Sequence, residues 1–550
     1  MKRNNLLILT LIAMLMTACH TKTHIDLLLL GGKIYTVDSS FSMAQAMAIK
    51  DGKILKTGTD AELKGLYEAH SEEYLDGLCV YPGFIDAHCH FYGLGLTLQE
   101  ADLKGTTSFE SVIERLRTHN QIYKPAWLLG DGWDQNLWTN KEFPDNTQLN
   151  LAFPDIPVVL TRIDGHAVIA NDKALEKAFI TAETRIPGGK VLLKNGKPTG
   201  VLIDKAVDSM ENRIPKPKGE ELAKMLLQAQ IDCLAVGLTT VADAGLSKSL
   251  VLLIDRMQKN DSLKLRVYAM LDPTKENIEY FVKKGVYETP RLHVCSIKLY
   301  ADGALGSRGG CLLKPYSDDP GNYGIIVETP EKLSGIIAIA YKYGYQVNTH
   351  AIGDSANRMM LGLYAQFLKQ PNDRRWRIEH VQCVDPADFA RFKQYSIIPS
   401  VQPTHATSDM YWADERLGPE RIKSAYAYKT LLQQNGWIAF GTDFPIEKVD
   451  PLLTFYAAVF RKDVKGFPNG GFQMENAVSR EEALKAMTIW AARSCFEEKE
   501  KGSLEAGKYA DFVILDKDIM KANEKDLLKT RVLETYINGE KVYGSRGGGQ

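Results

Sequence analysis

Between residues 80 and 440 the chain carries eight short apolar runs of strand length, with helical patterns filling the gaps. They are Val80–Asp86, Thr239–Asp243, Arg266–Leu271, Ser296–Tyr300, Gln346–His350, Trp376–Glu379, Ile397–Val401 and Trp437–Phe440. Strands that alternate with helices in this way build parallel βα units. Eight such units close into a (β/α)8 barrel, so the expected class is α/β with a TIM-like barrel over residues 83–495. Gly219–Ala235 and Pro330–Tyr343 are two of the intervening helical patterns. The first gap is too long for one helix, so residues 91–237 hold an inserted α+β subdomain, with strand runs at Ala126–Leu129 and Pro157–Thr161. Loops at a barrel's carboxyl face shape substrate pockets, which assigns this insert to covering the site.

Both chain ends read differently. Residues 25–82 and 496–543 hold short apolar stretches broken by turns, and Asn538-Gly539 between two of them signals a hairpin. The two ends are expected to join in one small β-sandwich domain. Before them, Lys2 and Arg3 precede an apolar stretch from Leu6 to Met16. As a helix it reaches only ~16 Å against a ~30 Å hydrocarbon core, so residues 1–19 read as a signal peptide. Met16–Cys19 resembles the bacterial lipobox, which makes Cys19 the lipidation site. The expected location is outside the cytoplasm, held to a bacterial membrane by a lipid anchor only. The other seven cysteines are odd in number and contain no C-x-x-C pair, which argues against a disulfide framework. A formal net charge of −1, with no long run of one sign, gives no electrostatic case for nucleic acid.

The chemistry sits at the ends of the strand runs. His88 and His90 close the first run, and alternation sends both imidazoles to the same face. Two neutral imidazoles so placed can grip one metal ion. His350 ends the fifth run, His380 follows the sixth, Asp443 follows the eighth, and Lys298 lies within the fourth. Singly, each has a plain structural explanation: a hydrogen-bonded histidine, or for Asp443 a helix cap. A lysine inside an apolar strand is stranger, because a buried ammonium is costly unless paired or neutralised. The six positions together point to a metal site at the barrel mouth.

The motifs that carry these residues are Pro82–His90, Gly132–Gln135, Asp164–Ala167, Lys298–Arg308, His350–Asp354, Arg377–His380, Gln402–His405 and Gly441–Pro445. In this respect the chain resembles the amidohydrolase superfamily and, within it, family 3, the YtcJ-like metal-dependent hydrolases, from about residue 25 to 543. Thr442 departs from that pattern, where serine is common. The resemblance implies that His88 and His90 hold the more buried metal and His350 with His380 the more exposed one. Lys298, carboxylated by carbon dioxide, would bridge both, and Asp443 would bind the first metal and carry the proton. Two zinc ions are implied, with iron, manganese and nickel left open by ligand type. If Lys298 instead pairs with Asp302, the site holds one metal.

Around the metal, Arg308 offers a fork for a substrate carboxylate, with an ion pair to a nearby acid as the alternative. His166 is a candidate catalytic residue that would contact substrate or polarise its carbonyl, with a structural histidine as the alternative. Trp133 is a candidate pocket wall or packing residue, and Gln402 and His405 should face the mouth. The expected function is hydrolysis of a C–N bond in a non-peptide amide of a small molecule, with an anionic substrate group left open by Arg308. Alternatives on the same site are a cyclic amide, ester or carbamate, or deamination. A different class is a non-catalytic binding or regulatory lipoprotein. Oligomeric state is left open.

Overall fold

A computed structural model describes residues 22–544 except Leu98, 163–166, 187–188, Lys216, Ser307 and 370–371. The signal segment, Cys19 and His166 therefore lie outside the described residues. The chain divides into two compact units, residues 1–91 with 230–550, and residues 92–229.

The first unit holds the expected barrel. Its strands are β1 (Phe84–Cys89), β2 (Leu238–Leu246), β3 (Arg266–Leu271), β4 (Leu292–Tyr300), β5 (Gln346–Ala351), β6 (Arg377–His380), β7 (Ile398–Val401) and β8 (Ala439–Phe440). They pair in that order, each parallel to the next. Buried on both faces, they are nearly continuous apolar runs, the usual composition of parallel strands. Between β8 and β1 the loop after β8 closes the ring: Asp443 N–H donates to the His88 carbonyl at 2.8 Å and His90 N–H to the Phe444 carbonyl at 2.8 Å. Glycine is required in this seam, because a Cβ on Gly441 would stand 2.6 Å from the His88 backbone nitrogen.

The helix Pro330–Tyr343 shows why the alternation was legible. Thr329 caps its start by accepting from Lys332 N–H, Pro330 opens it, and Gly344 ends it at φ +77°.

One expectation needs correction. The run Val80–Asp86 is not one strand but two. Cys79–Pro82 pairs with Lys33–Tyr35 and Phe512–Leu515, and only Phe84 onward enters the barrel. Pro82 has no N–H for a ladder, and a Cβ on Gly83 would stand 2.4 Å from the Thr239 side chain, so the chain changes sheets there.

Cys79–Pro82 belongs to a β-sandwich built from both chain ends. One sheet has four strands from residues 23–74, and the other has six, three of them from Phe512–Gly544. Leu29, Met47 and Ile49 from one sheet pack with Val80, Phe512 and Ile514 from the other. Asn538 and Gly539, at φ +54° and +70°, turn the last hairpin.

The second unit is a six-stranded mixed sheet. Glu100–Asp102, Leu128–Trp133 and Val158–Arg162 run parallel, and Ala167–Ala170, Lys197–Asp204 and Gly189–Lys194 add antiparallel strands. Among the described residues no helix is long and apolar enough to cross a membrane, and the seven cysteines are free thiols.

A buried ion pair joins the barrel to the sandwich inside the first unit. Arg266 of β3, wholly buried, donates to both Asp511 oxygens at 2.6 and 3.0 Å and to Asn538 Oδ1 at 2.6 Å. Truncating one partner strands the other charge in the interior. Arg266→Ala should therefore lose about 3–5 kcal/mol of stability, read from urea denaturation, and removing both charges with apolar replacements should lose less.

Candidate active site

Strand geometry delivers the side chains. His88, Lys298, His350 and His380 sit on β1, β4, β5 and β6, and adjacent registers set Tyr300 beside His350 and Ala351 beside His380. Asp443 follows β8 in the seam loop. His380 and Asp443 hold φ of +73° and +63°, a region that non-glycine residues occupy at a cost of about 1–3 kcal/mol each. Both are oriented by this strained backbone.

Asp443 is the point of convergence. Its Oδ1 lies 3.2 Å from His90 Nε2 and 3.5 Å from His88 Nε2, and its Oδ2 lies 3.6 Å from His405 Nε2. His88, His90 and Asp443 form one group able to hold a cation, and His380, His405 and Asp443 a second. His350 stands next to His380, ring centroids 4.4 Å apart, with its Nε2 3.6 Å from Asp302 Oδ1.

The other ring nitrogens are tied back into the protein. His88 Nδ1 lies 2.6 Å from Glu379 Oε2, His90 Nδ1 2.9 Å from the Ala244 carbonyl, and His380 Nδ1 2.8 Å from Gln402 Oε1. Each acceptor calls for Nδ1–H, so Nε2 of each ring keeps its lone pair. Glu379 is held in turn by Arg377 Nε at 2.6 Å. Its role was not singled out from sequence, yet the signal was there: Arg377 and Glu379 alternate with Ile378 on a buried strand, two opposite charges facing one way.

Burial governs the protonation states. It pulls His88 down to about 4 and His350 to about 3, and the Lys298 ammonium pushes in the same direction. His380 is likewise held well below its usual value, first by burial and then by the neighbouring imidazoles. Burial also pulls Lys298 down to about 8. For Asp443 burial acts upward, but His90, His88 and His405 outweigh it and keep the carboxylate ionised. The centre thus sets the neutral imidazoles of His88, His350 and His380 around an ionised carboxylate, the donor chemistry of a divalent transition-metal site.

Lys298 Nζ lies 3.2 Å from His88 Nε2. It does not pair with Asp302, whose carboxylate accepts the backbone N–H groups of Cys311, Ile352 and Gly353. Thr442 does what a serine there would do: its hydroxyl donates to Asp86 Oδ2 at 2.7 Å and accepts from Phe444 N–H at 3.1 Å.

The substrate-side expectations divide. His405 lines a cavity of about 400 Å³ with His90, Lys298, His350, His380 and Asp443. Gln402 is buried one layer behind, with its oxygen on His380. Trp133 is not a pocket wall. It is fully buried in the insert's own core against Trp138, with its indole N–H on the Leu160 carbonyl at 2.9 Å. Arg308 is not among the cavity-lining residues. Its fork is filled by Asp318, at 3.1 Å from Nε and 2.9 Å from Nη2, and Arg416 shares the same carboxylate.

The sequence profile of the amidohydrolase family matches residues 75–543. The protein LONG AFTER FAR-RED 3 of Arabidopsis thaliana is 35% identical over 94% of this chain and 91% of its own. A putative amidohydrolase YtcJ of Bacillus subtilis is 32% identical over 93% and 98%. An N-substituted formamide deformylase of Arthrobacter pascens is 26% identical over 95% and 99%. Among solved structures, an uncharacterized metal-dependent hydrolase from Pyrococcus horikoshii superposes with a TM-score of 0.78 at 30% identity, covering 90% of this chain and 99% of that one. The barrel, its histidines and these likenesses agree: the chain belongs to the amidohydrolase family of metal-dependent hydrolases.

Proposed function

We propose that the chain hydrolyses the C–N bond of a non-peptide amide in a small molecule, using a divalent metal centre at the barrel mouth. The observation that carries this reading is the convergence of His88, His90 and His405 on one ionised, buried carboxylate, Asp443. The residues fit a cation. Asp443 Oδ1 and His350 Nε2 are buried polar atoms with no hydrogen-bond partner, and such atoms are costly unless a ligand satisfies them. His88, His90 and Asp443 would hold one ion, and His350 and His380 a second. Carboxylation of Lys298 would turn a fully buried cation beside His88 into an anion facing both. Zinc is the proposed metal.

A divalent cation here supplies Lewis acidity, which lowers the pKa of water from about 15.7 to about 7 and polarises a carbonyl. The chain's own contribution is placement and proton handling. Glu379, the Ala244 carbonyl and Gln402 fix the imidazole tautomers. Asp443, an ionised carboxylate at the centre of the site, takes the proton of the attacking water and returns it to the leaving nitrogen as the C–N bond breaks. The likeness to an N-substituted formamide deformylase supports C–N hydrolysis and makes N-acyl and N-formyl amines the first substrates to try. Export and lipidation at Cys19 belong to the same proposal, and rest on the Lys2-Arg3 pair and the apolar stretch that follows.

Three outcomes test it. Plasma mass spectrometry on protein lacking residues 1–19 should find about two ions per chain, falling to one or none in Lys298→Ala. No metal after reconstitution would overturn the reading. Glu379→Gln should weaken metal affinity by about 10–100-fold in a chelator competition, because His88 loses the charge that orients it. Cys19→Ala should shift the exported protein from the membrane fraction to the soluble fraction.

A further inference from the structure

The cavity lined by most of the candidate metal ligands also carries a second set of polar groups. Asp409 and Glu447 line it together with Gln382, Trp412 and Ile446. Both carboxylates lie beside one hydroxyl: Ser408 Oγ donates to Glu447 Oε1 at 2.6 Å and lies 3.5 Å from Asp409 Oδ1, whose Oδ2 accepts from the Tyr426 hydroxyl at 2.8 Å. Two carboxylates lining one cavity favour a positive charge between them. Gln382 makes an independent point. It is only 4% exposed, its amide nitrogen lies 3.0 Å from His405 Nδ1, and its carbonyl oxygen has no partner. A buried carbonyl oxygen beside a cavity calls for a donor from whatever enters.

Among the described lining residues, nothing comparable awaits an anion away from the candidate ligand cluster. The basic side chains among them are Lys298, fully buried beside His88, and the imidazoles of that cluster. Arg308 and Arg416 nearby both turn to Asp318, and Arg421 is held by the Lys314 and Pro315 carbonyls. Trp412 and Ile446, the latter 72% exposed, present apolar surface beside the carboxylates. Such a wall suits a short hydrocarbon chain with a cationic end.

Building on the C–N hydrolase reading above, we infer that the site selects an amide whose distal end is a protonated amine, received by Asp409, Glu447 and the Gln382 carbonyl, with its hydrocarbon chain against Trp412 and Ile446.

The test compares three amides of equal chain length on the metal-loaded protein: N-acetylputrescine, N-butylacetamide and N-acetyl-γ-aminobutyrate. The ammonium-ended amide should exceed the methyl-ended one in kcat/KM by about tenfold or more, and the carboxylate-ended one should be the poorest. Glu447→Gln and Asp409→Asn should each shrink the ratio of ammonium-ended to methyl-ended turnover by about tenfold. Equal rates, a preference for the carboxylate, or a ratio unmoved in both variants would overturn the inference. Calorimetric titration with butylammonium chloride separates this from the parent reading. Binding that weakens in Glu447→Gln, with no amide hydrolysed, would keep the cation subsite and remove C–N hydrolysis. Hydrolysis without butylammonium binding would do the reverse.

Discussion

Closure of the barrel between β8 and β1 depends on hydrogen bonds made by the same residues that build the site. The backbone of Asp443 bonds to that of His88, Phe444 bonds to His90, and Asp86 accepts from the backbone and hydroxyl of Thr442. Gly441 lets the two segments approach. The ring therefore cannot close without bringing the His88–His90 pair against Asp443. The same contacts close the ring and assemble the centre, and the positive φ at Asp443 is sustained by that seam.

Buried charge is the second organising constraint. Arg377, Glu379 and His88 form a chain of short hydrogen bonds in which each member satisfies the next. Burial alone would raise the Glu379 carboxyl, but Arg377 and His88 hold it well below the usual range. An ionised Glu379 then fixes the His88 tautomer, which leaves Nε2 facing Asp443. Arg377 also donates to the Ala87 carbonyl at 2.6 Å, so one guanidinium supports both the strand and the ligand on it. In a low-dielectric interior a network of this kind is stable only when complete.

Much of the architecture was legible in the sequence because parallel strands buried on both faces must be apolar runs, and helices with strong caps must alternate with them. The boundary at Gly83 was not, since Val80–Asp86 is equally apolar whichever sheet its halves join. Glu379 was visible only as part of a motif; that it touches His88 requires β6 and β1 to face each other across the barrel. Trp133 shows the limit from the other side. An indole packs in a core or walls a pocket with the same composition around it, and here the Leu160 carbonyl and Trp138 decide for the core. Arg308 was read with two open outcomes, and Asp318, ten residues on, reaches it through a loop whose path no local pattern specifies.

By itself the sequence determined the α/β class, the eight-strand count and a set of chemistry-bearing residues at strand ends, because periodicity and residue type are local properties. Only the tertiary structure decided which of those residues meet. It set three imidazoles against Asp443, put Gln402 behind His380, left Lys298 beside His88 rather than Asp302, and lined the cavity with Asp409 and Glu447 while Asp318 held Arg308. Distances between side chains on different strands are fixed by register, barrel closure and loop path. All three emerge from packing the whole unit, which no stretch of residues encodes alone.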